Sequence, residues 1–335
     1  MQRKSMTLML AVALLATLGL LGSGCMKAKI NLFPDYTEPL QEYVLEGKAE
    51  GKVLMIPIRG MVSQRSREGF FGTRPSMVQE VRSALDMARK DEQVKAILLQ
   101  IDSPGGSVTA SDIIYNEIKR YKEETGVKVS AVMMDLAASG GYYVAMAAER
   151  VYAHPTTVTG SIGVIFYTIS IDGLFNKIGV KAEPIKSGKH KDMGSPFRDM
   201  NEEEREILQN MIDEMYGRFV KVVADGRPQL NEQAVRQLAD GRIYTAKQAL
   251  DAKLIDEIAY MDQALSDLKM AAGISQDSRV VVYRRQSFGN DNIYNTRTAK
   301  AGGQLKLIDL PFSSYMFTPQ TGFYYIWEPG LTSNK

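Results

Sequence analysis

The chain is predicted to adopt an α/β fold, and two observations carry that expectation. A unit of strand, glycine-pair turn and helix occurs twice: VKAILLQI, SPGGS and a helical stretch to Thr125, then VKVSAVMM, DLAASGG and a helical stretch to Glu149. The two strands begin at Val94 and Val127, 33 residues apart. They are also apolar throughout rather than alternating, the pattern of strands buried on both faces of a parallel sheet joined by crossover helices.

In chain order, Arg3 and Lys4 precede nineteen uncharged residues, Met6 to Gly24, ending in LGSGC. Basic charge before such a run turns the remainder of the chain outward, so residues 1–25 read as a signal or anchor segment. Cys25 after small residues is a candidate for lipid attachment. Gly22 stands where lipoprotein signals carry Leu, Val or Ile, which keeps a retained span open as the alternative. Either way the chain is expected to be tethered to the cell membrane with its folded body extracytoplasmic. Residues 26–51, with two prolines and no sustained period, form a linker with one short strand near Leu40–Leu45.

The body is expected over 52–285. KVLMIPIRG is a strand followed by a Gly- and Arg-containing loop. Ser76 and Gln79 make a capping box ahead of the stripe Val78, Val81, Leu85, Ala88, which predicts a helix. After the two repeats, TVTGSIGVIFYTISI is strand-like and KAEPIKSGKHKDMGSPFRDM mostly loop. A long helix runs from about Asn201 to Ala224, its first turn acidic at Glu202–Glu204 as the helix dipole favours. NEQAVRQLADG, TAKQALDAKLID and MDQALSDLKMAAG supply further helices, and 286–335 is a tail, strongly aromatic from Leu305 to Trp327. That tail is expected to lie as a strand in the groove of its own or a neighbouring subunit, mimicking a substrate; an edge strand or subunit contact is the alternative.

Composition excludes several functions. Forty-one Lys plus Arg against 39 Asp plus Glu leave a formal charge of +2, so no field selects nucleic acid. One cysteine, outside the body, provides no disulfide and no thiol nucleophile there. Two histidines without CxxC or HExxH give a metal little to build on, so neither metal nor cofactor is expected.

In a parallel sheet the functional crevice lies beyond the carboxyl ends of the strands, where both glycine pairs fall. Ser139, in ASGG, stands at a helix start. A carbonyl attacked there would direct its oxyanion to the N–H of Gly140 and to a glycine N–H of the SPGG turn. A plain helix cap with tightly packed glycines explains the same residues. His154 and His190 are the only imidazoles and none follows 190, which excludes the order of an α/β-hydrolase. Lysine is the remaining base. With an ordinary pKa of about 10.4, roughly 0.04% of it is free amine at pH 7, so burial or cationic neighbours must lower it. SGKHKD gathers Lys186, Lys189, His190 and Lys191, with Asp192 opposing; a solvated basic loop is the alternative. The literal SxxK at Ser266–Lys269 sits on an amphipathic helix among charges and is set aside.

DSPGGS, LAASGGYYVA, TGSIGV and SGKHKDMGSPFRDMNEEE, in this order, resemble the signal peptide peptidase A family in its short form, over about residues 50–285. The GRIYTAKQALDAKLID segment agrees. The resemblance implies a serine-lysine peptidase domain of the ClpP/crotonase-like fold over 52–285, with Ser139 as nucleophile. Lys191, 52 residues later, is implied as general base and Ser161 as the hydroxyl that orients it; a simple turn serine is the alternative for Ser161. Gly106 and Gly140 are implied as oxyanion donors, with Gly105 nearby. It further implies a homo-oligomeric ring or dome with active sites shared between chains, and remnant signal peptides and other unfolded apolar peptides as substrates. A crotonase-like acyl-thioester enzyme and a catalytically silent membrane scaffold are the rival functions.

Overall fold

A computed structural model of the chain describes residues 38–69, 72–294 and 321–327. The expected signal or anchor segment with Cys25, most of the linker and most of the tail lie outside them. Among the described residues no helix is long and apolar enough to cross a membrane.

The chain begins β1 (Gln41–Glu46), β2 (Ala49–Arg59) and a small hairpin, β3 (Arg67–Gly69) and β4 (Gly72–Arg74). Helix α1 (Met77–Ala88) follows, with the expected capping box: Gln79 N–H donates to Ser76 Oγ at 3.2 Å and Ser76 N–H to Gln79 Oε1 at 2.9 Å. The first repeat is β5 (Val94–Ser103), β6 (Gly105–Ser107) and α2 (Val108–Thr125); the second is β7 (Lys128–Ala138) and α3 (Gly140–Ala145). Then come β8 (Arg150–Ala153), β9 (Val158–Gly160), β10 (Ile165–Tyr167), α4 (Asp172–Ile178) and the long α5 (Glu202–Gly226). Finally α6 (Glu232–Leu238), β11 (Ile243–Thr245), α7 (Ala246–Asp251), β12 (Glu257–Ile258), α8 (Met261–Ala271), β13 (Ser278–Arg284) and β14 (Gly322–Ile326) complete the described chain.

The main sheet runs β1-β13-β2-β5-β7-β8-β12, parallel except where β1 meets β13. Strand β7 has two partners on one side: β8 along Ser130–Met133, then β9 along Leu136–Ala138. Continuous apolar strands bury both faces, as the sequence predicts. Leu54, Ile56, Ile97 and Leu99 pack with Leu85, Ile114 and Ile118 of α1 and α2. Their neighbours Val53, Met55, Ala96 and Leu98 face the other way, onto Ala264, Leu265 and Leu268 of α8.

The helix expected to run to Glu149 stops at Ala145, and the sheet explains why. Arg150 pairs with Ser130, so the chain must return along eight residues of β7, about 26 Å at strand rise. A helix over 140–149 would cover only about 15 Å. After Ala145 the chain continues in looser-rising i→i−3 turns, Ala147 N–H to Val144 C=O at 3.1 Å and Ala148 N–H to Ala145 C=O at 3.0 Å, before it enters β8.

Candidate active site

Ser139 closes β7 and precedes α3 with φ 52° and ψ −114°, a backbone conformation costly for a residue with a side chain. It is pinned on both sides: its N–H donates to Gly160 C=O at 2.7 Å, and its carbonyl accepts Tyr143 N–H at 2.8 Å. The side chain is buried, and among the described residues its Oγ has no hydrogen-bond partner. An unpaired hydroxyl on strained backbone is what remains when a serine does not cap its helix; no side-chain cap bond is made.

The SPGG turn lies alongside, because β5 and β7 are parallel neighbours with Ser103 opposite Ala137. Gly105 has φ +97°, and a Cβ there would stand 2.6 Å from Gly140 N and 2.0 Å from Tyr325 O. Only glycine allows this approach. Val62 N–H donates to Gly105 C=O and Ser107 N–H to Val62 C=O, at 2.8 and 2.9 Å. The Gly106 N–H between them therefore points to the opposite side, where its register partner is Tyr325 of β14. A Cβ on Gly140 would lie 3.1 Å from the same Tyr325 oxygen. One peptide carbonyl thus sits where Gly105, Gly106 and Gly140 meet beside Ser139.

Strand β14 runs antiparallel between β6 and β10, pairing Tyr325 with Gly106 and Phe323 with Phe166. It belongs to the same chain, and Trp327 N–H extends the ladder to Pro104 C=O at 2.8 Å. The groove therefore holds an extended peptide by main-chain bonds on both edges.

Ser161 follows the Gly160 whose carbonyl holds Ser139. It is buried with φ 51°, and its N–H donates to Arg242 C=O at 2.7 Å. Beside it opens a cavity of about 600 Å³ bordered by Val164, Tyr216, Ala239 and Ile326.

Lys191 lies elsewhere: no described contact joins it to Ser139. It sits exposed in a turn where its N–H donates to Gly188 C=O at 3.1 Å. Its basic neighbours are engaged, Lys186 with Asp192 at 2.6 Å, and Lys189 and His190 with Glu203 at 2.6 and 3.3 Å. Among the described residues the Lys191 amine has no partner. The opposing charge expected from Asp192 is drawn off: hydrogen bonds from Arg198 and Lys186 hold its carboxyl well below the usual range. Arg198 also grips the fully buried Glu204 at the start of α5. Lys269 of the discarded SxxK bonds Gln276 C=O at 2.9 Å, a structural role.

Comparison with known proteins finds relatives of the chain. The family model for peptidase family S49 matches residues 121–275, and that for Clp protease matches 72–159. A putative signal peptide peptidase SppA from Enterococcus faecium is 34% identical over 259 residues, 77% of this chain and 74% of that one. The chain belongs to peptidase family S49. A second relative, the putative protease slr0021 of Synechocystis sp., is 37% identical over 226 residues, covering 68% of this chain and 76% of that one. The chloroplastic serine protease SPPA of Arabidopsis thaliana is 35% identical over 207 residues, 62% of this chain and 30% of that one. As a member of S49 the chain is a serine-type peptidase, and its mostly parallel α/β body is of the ClpP/crotonase-like type.

Sequence reasoning missed Gly160, whose carbonyl anchors the serine, and the aromatic residues Tyr143 and Phe219 that receive Tyr325. Their contacts join segments far apart in the chain, so no local spacing signals them.

Proposed function

We propose that Ser139 is the nucleophile of a peptidase that cleaves extended apolar peptides, with Lys191 of a neighbouring subunit as its general base. The observation that carries this reading is the Tyr325 carbonyl lying against Gly105 and Gly140 and facing the Gly106 N–H. A substrate strand takes the place of β14, its scissile carbonyl between the Gly106 and Gly140 N–H groups. Neutral Lys191 accepts the Ser139 proton as Oγ attacks. The amine of the leaving peptide departs with that proton, and a water activated by the same lysine releases the acyl group.

Two features support a shared site. The Lys191 amine faces solvent in the single chain, whereas the cavity beside Ser161 has room for a side chain from outside. The surrounding segment also exposes Ile165, Ile169, Leu174, Ile178, Val180 and Ile185, an apolar surface of the kind that subunits cover. Burial at such an interface favours the uncharged amine, and Ser161 would orient it. The ring or dome assembly, tethering through residues 1–25 or a lipidated Cys25 with the body extracytoplasmic, and remnant signal peptides as substrates complete the reading. Occupancy of the groove by β14 makes the tail an internal competitor.

Covalent labelling by a fluorophosphonate tests the proposal. Labelling of the wild-type chain at Ser139, lost in both Ser139→Ala and Lys191→Ala, is expected. Labelling that survives Ser139→Ala would falsify it, and tight binding of a CoA thioester without peptide cleavage would favour the acyl-thioester alternative.

A further inference from the structure

We propose that Ser103 is a positioning residue for the oxyanion site: its buried hydroxyl holds the Pro104–Gly105–Gly106 turn in the orientation that aims the Gly106 N–H at the reacting carbonyl. The inference deepens the reading above and rests on it. Ser103 closes β5, opens the SPGG turn and is 0% exposed. Its Oγ does two things at once, donating to Gly60 C=O at 2.6 Å and accepting the Gly105 N–H at 3.1 Å. A hydroxyl gives and takes a hydrogen bond through one atom, which no apolar side chain of that size can do.

The orientation of the turn follows from those bonds. A trans peptide points its C=O and N–H to opposite sides. With the Gly105 N–H turned to Ser103, the Pro104 C=O faces the groove, and there it accepts Trp327 N–H at 2.8 Å. In the next peptide Gly105 C=O accepts Val62 N–H at 2.8 Å, which leaves the Gly106 N–H facing the groove. Acceptor and donor therefore alternate along the groove wall, one for the main chain of the leaving side and one for the oxyanion. The bond to Ser103 also takes the Gly105 N–H out of the groove, so Gly106 is the donor from this turn.

What the hydroxyl holds is otherwise easy to rotate. Gly105, at φ +97°, and Gly106 have no side chains to resist a turn of the peptide between them. The loop after β2 braces them from behind, with Gly60 N–H donating to Asp102 C=O and Ser107 N–H to Val62 C=O, each at 2.9 Å. Those bonds run from main chain to main chain; Ser103 is the side chain among them. It also meets the other turn, since a Cβ on Gly141 would stand 2.8 Å from Ser103 C=O and 3.3 Å from Ser103 Cβ. Without the hydroxyl the buried Gly105 N–H is left unpaired. The turn finds that group a new partner only by rotating, which carries the Gly106 N–H off the oxyanion.

The test compares Ser103→Ala with Ser103→Cys in the full chain, the thiol refilling the volume while being a weak donor and acceptor. For each, kcat and KM are measured on a chromogenic peptide, together with the inhibition constant of a peptide boronate, which bonds through boron to Ser139 Oγ and sets an oxygen in the oxyanion position. Urea midpoints give the folded fraction to which kcat is referred. Both variants should keep KM and lose about 10²-fold in kcat. The boronate should weaken by the same factor as kcat/KM, as a transition-state mimic does. Restoration of kcat by cysteine would make the serine a space-filler and overturn the inference. So would a wild-type kcat and boronate affinity in the alanine variant, or a loss confined to KM. In those cases cleavage by the wild-type chain and its labelling at Ser139 leave the peptidase reading standing. A wild-type chain that neither cleaves nor takes the fluorophosphonate overturns both.

Discussion

At the scale of the residue, the site depends on one strained serine and on glycines that let two turns approach. Ser139 holds φ 52° because Gly160 and Tyr143 fix its amide and carbonyl. Ser139→Ala should retain the fold and lower kcat about 10⁴-fold or more, measured on a chromogenic peptide. Gly105→Ala tests the turn. A methyl group at φ +97°, 2.6 Å from Gly140 N, must displace the proposed oxyanion donors, so kcat should fall about 10²- to 10³-fold while the denaturation midpoint moves far less. An intact kcat would show that the turn does not line the reacting carbonyl. The meeting of the turns that carry Ser139, Gly106 and Gly140 was legible in the sequence because each turn follows an apolar strand, and in a parallel sheet such ends meet. Tyr143, Phe219 and Met215 were not, since their common feature is Tyr325, more than a hundred residues downstream.

At the scale of the element, the turn carrying Lys191 is ordered by a neighbour that carries no chemistry itself. Arg198 bridges Asp192, next to Lys191, and the buried Glu204 in the first turn of α5. Arg198→Leu should free that turn and lower kcat about tenfold or more with KM little changed, a split that separates misplacement of a base from loss of substrate binding. The pH response is set by the depressed Asp192 carboxyl. Stability from its pairing is fully present above the ordinary carboxylate value, about 3.8–3.9, and is lost only as pH falls through the lower folded value. Amide exchange in residues 186–198 should therefore show the turn as well protected at pH 5 as at pH 7, after correction for intrinsic rates; early loss of protection would mean the pairing does not hold in solution. Helices were the most legible elements, through capping residues such as Ser76 and Asn201 and through stripes such as Val81, Leu85 and Ala88. The stretch 157–171, read as one strand, is divided into β9 and β10, and β6 was read as a turn, because what makes these three-residue pieces strands is a partner elsewhere. The apolar run of β13, which inserts between β1 and β2, passed unnoticed for the same reason.

At the scale of the whole molecule, a sheet buried on both faces supports a site on one end. Leu85→Ala, deep in the α1 contact with the sheet, should cost about 2–5 kcal/mol in urea unfolding and leave kcat of the folded fraction intact. A shared active site makes a sharper claim. Ser139→Ala and Lys191→Ala chains, each inactive alone, should regain activity when refolded together, to roughly a quarter of wild type if subunits mix at random. A mixture as inactive as its parts would place serine and lysine in one subunit. The α/β class and parallel order were readable from two repeats, whereas the assembly was implied only by resemblance, because interfaces follow no period along a chain.

The pairing of β14 with β6 and β10 within one polypeptide has a kinetic consequence. A covalently attached occupant does not dissociate on dilution, and it meets its groove at an effective concentration on the order of millimolar. Free peptides of equal intrinsic affinity would therefore have to approach that level before half the grooves changed hands. The protein should accordingly be sluggish toward scarce substrates, its rate rising in proportion to peptide concentration until peptides accumulate to that level.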